Sequence, residues 1–137
     1  MAQESVLVVG GGGREHALCM ALASSSHVGM IHCSPGNAGT ANFTTNHNVP
    51  ASDTDGLLAL AQEVGATLVV VGPEAPLCDA LADKLASVDI PCFGPVKALA
   101  ELEGSKLHAR AVLAQAGVPT AAVHVLPSGA PREAALE

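Results

Sequence analysis

Three short segments of this chain hold residue types suited to gripping a phosphate, a sugar or an amine. In the first, Gly10, Gly11, Gly12 and Gly13 follow the apolar run Val6–Val9 and lead into Arg14, Glu15 and His16. A buried strand, a turn without side chains and a helix start present backbone N–H groups to an anion. Arg14 falls in the first helical turn, where the macrodipole disfavours a cation. A guanidinium there makes most sense opposite an anionic ligand; a solvated surface arginine is the plainer alternative. The second segment is Pro35-Gly36-Asn37-Ala38-Gly39-Thr40. Its glycines let the main chain approach a ligand, and Asn37 tolerates a left-handed conformation. The third, Gly72-Pro73-Glu74-Ala75-Pro76-Leu77, holds the carboxylate of Glu74 between two prolines on a stiff backbone. Such a carboxylate is suited to accept hydrogen bonds from sugar hydroxyls or an amine. Each segment alone is ordinary turn chemistry; three at one sheet edge make a pocket.

The commonest nucleotide readings fail on inspection. A dinucleotide fingerprint needs Gly-x-Gly-x-x-Gly and an acid about 20 residues on. Here the third glycine position is Glu15 or His16, and His32, Cys33 and Ser34 stand where the acid belongs. No Gly-Lys-Ser or Gly-Lys-Thr follows the glycines, so a P-loop is excluded. No Gly-x-Ser-x-Gly elbow or Cys–His pair is evident, and no catalytic residue is expected from these patterns. Glu15 also has a simpler role in compensating the helix dipole, His16 in packing, and Lys106 as a solvated first-turn lysine. The four cysteines (19, 33, 78, 92) and six histidines show no metal-ligand spacing. Free thiols in a cytoplasmic chain, and no metal site, are the expectation.

The elements that must position these segments alternate between two periods. Strands are expected at Val6–Val9, Val28–Cys33, around His47–Val49, at Thr67–Val71 and near Pro91–Phe93. Helices are expected over Arg14–Ser24, from an Asp53 N-cap through Val64 to Gly65, and over Leu77–Ser87. Thr67–Val71 is continuously apolar, as parallel strands buried on both faces are. The alternation predicts an α/β fold with an open parallel sheet flanked by helices. Ligands of such sheets bind outside the carboxyl ends of the strands, where all three segments fall. After Phe93 the pattern changes. A helix to Glu103 is broken by Gly104, and Ser105 can N-cap another over Lys106–Ala116 before Gly117. A strand over Val123–Leu126 and a helical start over Arg132–Glu137 are expected last, the latter read as cut off by a truncation.

Composition sets limits on partners. The chain has 137 residues, about one domain, and 49% of them are apolar, enough for a real core. A net charge of −7 with only six Lys and Arg offers no basic surface for nucleic acid. No apolar run approaches the ~20 residues that span a bilayer, and no basic n-region of a signal peptide precedes the first strand. No membrane partner is therefore expected.

Taken in order, five motifs resemble the phosphoribosylamine–glycine ligase family of purine biosynthesis. They are Val-Val-Gly-Gly-Gly-Gly-Arg-Glu-His-Ala (8–17), Pro-Gly-Asn-Ala-Gly-Thr (35–40), Val-Val-Gly-Pro-Glu-Ala-Pro-Leu (70–77), Phe-Gly-Pro (93–95) and Leu-Glu-Gly-Ser-Lys (102–106). One departure is Gly11, where the family often has Asn or Ser; for a backbone cradle it should not matter. The resemblance implies a Rossmann-like pre-ATP-grasp domain over residues 1–104. Residues 105–137 would be a linker helix and the truncated start of the ATP-grasp domain. In such enzymes ATP phosphorylates the glycine carboxylate and the amine of 5-phosphoribosylamine attacks the acyl phosphate. ATP and Mg2+ would be held mainly by the ATP-grasp domain, so this chain alone should not catalyse ligation. The implied substrate-binding set is Gly12, Gly13, Arg14, Glu15, Asn37, Thr40, Pro73 and Glu74. Within it, Gly12 to Glu15 line the phosphoribosylamine side, Glu74 lies near the ribose, and Asn37 and Thr40 flank it. The competing expectation is a stand-alone α/β module that binds a phosphorylated metabolite or a partner protein.

Overall fold

The computed structural model describes residues 3–123 and 125. Its centre is β1 (Glu4–Gly10), flanked by β2 (Val28–Pro35) on one side and β4 (Leu68–Val71) on the other. The two-residue β3 (Thr45–Asn46) and β5 (Cys92–Phe93) complete a sheet of order β3-β2-β1-β4-β5. All four pairings are parallel, as the expected α/β class requires.

Both faces of the central strands are covered, which explains their unbroken apolar runs. Leu7, Val9, Val69 and Val71 face α2 (Thr54–Glu63) and α4 (Leu81–Ala86), meeting Leu57, Leu60, Leu81 and Leu85. Val6, Val8, Cys33 and Val70 form the opposite core with Cys19 of α1 (Gly13–Ala23). Burial, and next the neighbouring Cys33, push the Cys19 thiol up to about 12, and burial pushes Cys92 to about 11. The four cysteines are free thiols.

Local signals set several helix ends as expected. Asp53 caps α2 by accepting from Gly56 N at 2.9 Å, and Gly65 beyond its end has φ +61°. Ser105 caps α6 (Lys106–Gln115) by accepting from His108 N at 3.2 Å. The start of α5 (Lys97–Gly104) is capped from elsewhere: Asp83 Oδ2 accepts from Lys97 N at 2.8 Å. Asp83→Ala is expected to cost about 1 kcal/mol in urea unfolding, the usual worth of such a cap.

Two expectations are corrected. The helix expected over Leu77–Ser87 is two helices, α3 (Ala75–Cys78) and α4, separated by Ala80 at φ +63°. The break lets α3 pack on α5 while α4 turns toward α2 and β5. The third strand is Thr45–Asn46 rather than His47–Val49. Pairing with β2 ends as His47 N donates to Cys33 O at 2.8 Å, and Val49 turns to the core. Val123 and Val125 carry no strand, and the rest of 123–126 and all of 132–137 lie outside the described residues.

Candidate functional site

Chain direction reverses its march across the sheet at β1. From there β2 and β3 lie on one side and β4 and β5 on the other. At such a switch point the loops leaving adjacent strands part and open a crevice at the carboxyl edge. The loops after β1 and β4 meet there, the last rung being Gly72 N to Val9 O at 3.0 Å. Gly12, Gly13, Arg14, Glu15, Pro73 and Glu74 line one cavity of about 330 Å³ between them. Six of the eight expected residues are thus brought together.

Their side chains are deployed differently. Arg14 is exposed and donates through one guanidinium nitrogen to the carbonyl of Gly72, so it bridges the two loops. Among the described residues it has no carboxylate at ion-pair distance. Glu74 is exposed and borders three cavities, of about 330, 210 and 540 Å³. The 210 Å³ space continues from Arg14 and Glu74 past Phe93, Gly94 and Pro95 to Glu103.

Glu15 turns inward. It is 5% exposed, and its Oε2 accepts from Gly12 N at 2.6 Å, the one half of a capping box that a glycine N-cap allows at the start of α1. Glycines surround it because nothing else fits. A Cβ on Gly10 would stand 2.7 Å from Glu15 Cδ, and one on Gly72 would stand 2.6 Å from the same atom. The carboxylate thus occupies one of the amide donors at the cradle and sets the shape of both loops.

Asn37 and Thr40 are absent from the lining of that cavity, and their polar atoms are engaged within the protein. Asn37 Nδ2 donates to Gly11 O at 2.9 Å and Gly12 O at 3.3 Å. Its Oδ1 accepts from the amides of Gly39 (2.7 Å) and Thr40 (3.0 Å), an Asx turn. Thr40 is fully buried; its Oγ1 accepts from Asn37 N at 2.8 Å and lies 2.9 Å from Asn46 Oδ1. Both therefore hold the second loop against the first. Gly11, which sequence alone left indifferent, is where the loops touch: a Cβ there would stand 2.7 Å from Gly36 O. His16 packs against Phe43, the ring centroids 5.8 Å apart, and against Gly39.

Sequence reasoning missed Asn46. From β3 its Oδ1 accepts from Thr40 and Thr44, and its Nδ2 donates to Asn37 O at 2.8 Å. A run as polar as Thr44-Thr45-Asn46-His47 carries no strand periodicity, so nothing marked it.

Comparison with known proteins adds a lineage. The family described as phosphoribosylglycinamide synthetase, N domain, matches residues 4–103. A phosphoribosylamine–glycine ligase of Streptomyces coelicolor is 52% identical over 96% of this chain and 32% of its own length. One of Mycobacterium tuberculosis is 47% identical over 96% of this chain and 31% of its own. The crystal structure of the Thermotoga maritima phosphoribosylamine–glycine ligase superposes with TM-score 0.61 at 30% identity, over 86% of this chain and 26% of that one. A biotin carboxylase domain of a thermophilic 2-oxoglutarate carboxylase, at TM-score 0.67 and 21% identity, shares the fold. The chain spans about a third of the length of the curated relatives it matches.

Proposed function

Since the chain belongs to the phosphoribosylglycinamide synthetase N-domain family, we propose that it is the substrate-binding part of an ATP-dependent ligase. That ligase joins glycine to 5-phosphoribosylamine to give glycinamide ribonucleotide, in a cytoplasmic setting. The observation that carries this reading is the cavity at the switch point, where Gly12, Gly13, Arg14, Glu15, Pro73 and Glu74 converge. The start of α1 and the Arg14 guanidinium supply positive potential for the phosphoribosyl group. Glu74, exposed at the opposite wall, accepts hydrogen bonds from ribose hydroxyls or the amine. Asn37 and Thr40 act by holding the loops at their working distance rather than by touching the substrate.

ATP and Mg2+ belong to the remainder of the longer protein in this proposal. Among the described residues no three His, Cys, Asp or Glu side chains converge as metal ligands. In this part the proposed role of the residues at the switch point is to bind and orient the sugar-phosphate. In this proposal residues 105–137 are a linker helix and the start of the next domain; that the family match ends at 103 and that α6 buries none of its side chains support it.

Titration calorimetry with glycinamide ribonucleotide and with ADP tests the reading. Binding of the ribonucleotide, weakened by Glu74→Ala, with no heat from ADP, is the expected result. ADP binding of equal strength would return the site to a general nucleotide pocket.

A further inference from the structure

Behind the second loop, on the face of the sheet opposite α1, two histidines share a hydrogen bond. His32 on β2 and His47 just after β3 approach with Nδ1 and Nε2 at 2.9 Å, their ring centroids 5.1 Å apart. His32 is 6% exposed, and its Nε2 is buried with no hydrogen-bond partner. Only one neutral arrangement suits that environment. If His32 Nδ1–H donates to His47 Nε2, the buried Nε2 is a bare lone pair, cheaper to leave unpaired than an N–H.

Every protonated arrangement that keeps the ring-to-ring bond is worse. If His47 carries the shared hydrogen, His32 accepts through Nδ1 and must place its own hydrogen on Nε2, where nothing accepts it. If His32 is the imidazolium, the same N–H is orphaned and the charge is buried as well. With both rings charged, two N–H groups collide. The pair is therefore stable only while both rings are neutral and the buried His32 Nε2 carries no hydrogen.

The pair sits where it controls the loop. His47 is next to Asn46, whose side chain is the hub for Asn37, Thr40 and Thr44. The strip is stitched to β2 by His47 N to Cys33 O (2.8 Å) and by the Ser34 hydroxyl, which meets the carbonyls of His47 and Val49. Asn37 in turn ties the second loop to Gly11 and Gly12 of the first. We infer that the His32–His47 pair is a proton-operated latch: proton uptake undocks His47 from β2 and, through Asn46, loosens the Asn37–Thr40 turn. The loosened turn frees the glycine cradle from one of its supports, so acid opens the site independently of which ligand it takes.

Of the charged or titratable groups on the surrounding elements, Glu4 on β1, His47 beyond β3, and Asp53 and Asp55 at the start of α2, only His47 acts on the His32 ring. Burial first, then His47, holds His32 below its ordinary value of 6.5. The sign follows: the unfolded chain takes up the proton first as pH falls. The neutral pair's contribution is intact above 6.5 and is lost as pH falls through the lower folded value. The His16 ring is packed on Gly39 and therefore needs its own control.

Heteronuclear NMR of the 137-residue chain between pH 7.5 and 5.0 tests the latch. The amides of Asn37, Gly39 and Thr40 and the Asn46 side-chain amide are expected to shift together, with one midpoint, below 6.5, shared with the His32 ring. In His47→Gln, whose carbonyl oxygen can still accept from His32, those shifts are expected to vanish while the loop stays ordered; in His16→Gln they persist. Loop shifts that survive His47→Gln, that follow the His16 ring, or that are absent from the unaltered chain overturn the proposal. Should His47→Gln fail to fold, the midpoints of loop and rings in the unaltered chain decide alone.

Discussion

Gly72→Ala is expected to lower stability by about 2–4 kcal/mol, combining overpacking with the loss of a helix cap. In a chain this small that is a fall in thermal midpoint on the order of 10 °C or more. The new methyl would enter the space held by the Glu15 carboxylate, whose Cδ would lie 2.6 Å away. Glu15 cannot yield freely, because it is 5% exposed and bound to Gly12 N. Moving it leaves both a buried carboxylate and a helix N-terminal amide without partners. Gly13→Ala is the control. Nothing lies within 4 Å of a Cβ at Gly13, and alanine suits the first helical turn better than glycine. Differential scanning calorimetry of the two variants should therefore give opposite signs, and a Gly72→Ala midpoint equal to that of the unaltered chain would remove Glu15 from its place under the loops.

Arg14→Ala is expected to weaken glycinamide ribonucleotide binding by about 10- to 100-fold. That is the 1.5–3 kcal/mol typical of a hydrogen bond to a charged group, at 1.4 kcal/mol per factor of ten. Stability should change by less than about 0.5 kcal/mol. The exposed bond to the Gly72 carbonyl is lost, but so is a cation at the positive end of α1. Arg14→Lys should recover only part of the affinity, since a point charge cannot hold the carbonyl and a phosphate oxygen in one plane. Calorimetric titration separates the three proteins; undiminished affinity in Arg14→Ala would place the anion elsewhere.

Those two residues also mark how much the sequence could say. Arg14 stood out because a cation in a first turn contradicts a local rule and calls for a partner elsewhere; the partner seen in the structure is the Gly72 carbonyl. The strands at 6–9 and 67–71 were legible as apolar runs. The caps at Asp53 and Ser105 were legible because a cap is settled within four residues. Gly72 was legible as a turn, not as a space reserved for a side chain 57 positions earlier. The inward aim of Glu15, the left-handed Ala80 and the Asn46 hub share that character: each is decided by what a distant element brings alongside. Asn37 shows the boundary well. Its residue type announced the turn it makes, whereas its grip on Gly11 and Gly12 exists only once two strands are side by side.

The central place of β1 also sets a timetable. β1 is synthesised before every strand it pairs with, and it needs neighbours on both edges. β2 follows soon after, but the partner on the other edge begins 62 residues later, where Ser5 meets Thr67. At 5–20 residues per second, that edge of Val6–Val9 stands open for about 3–12 s of synthesis. An apolar strand with unpaired amides is a template for another chain during that interval. Growing chains of this protein should depend on a holding chaperone most strongly before residue 71 emerges, and far less once β4 has docked.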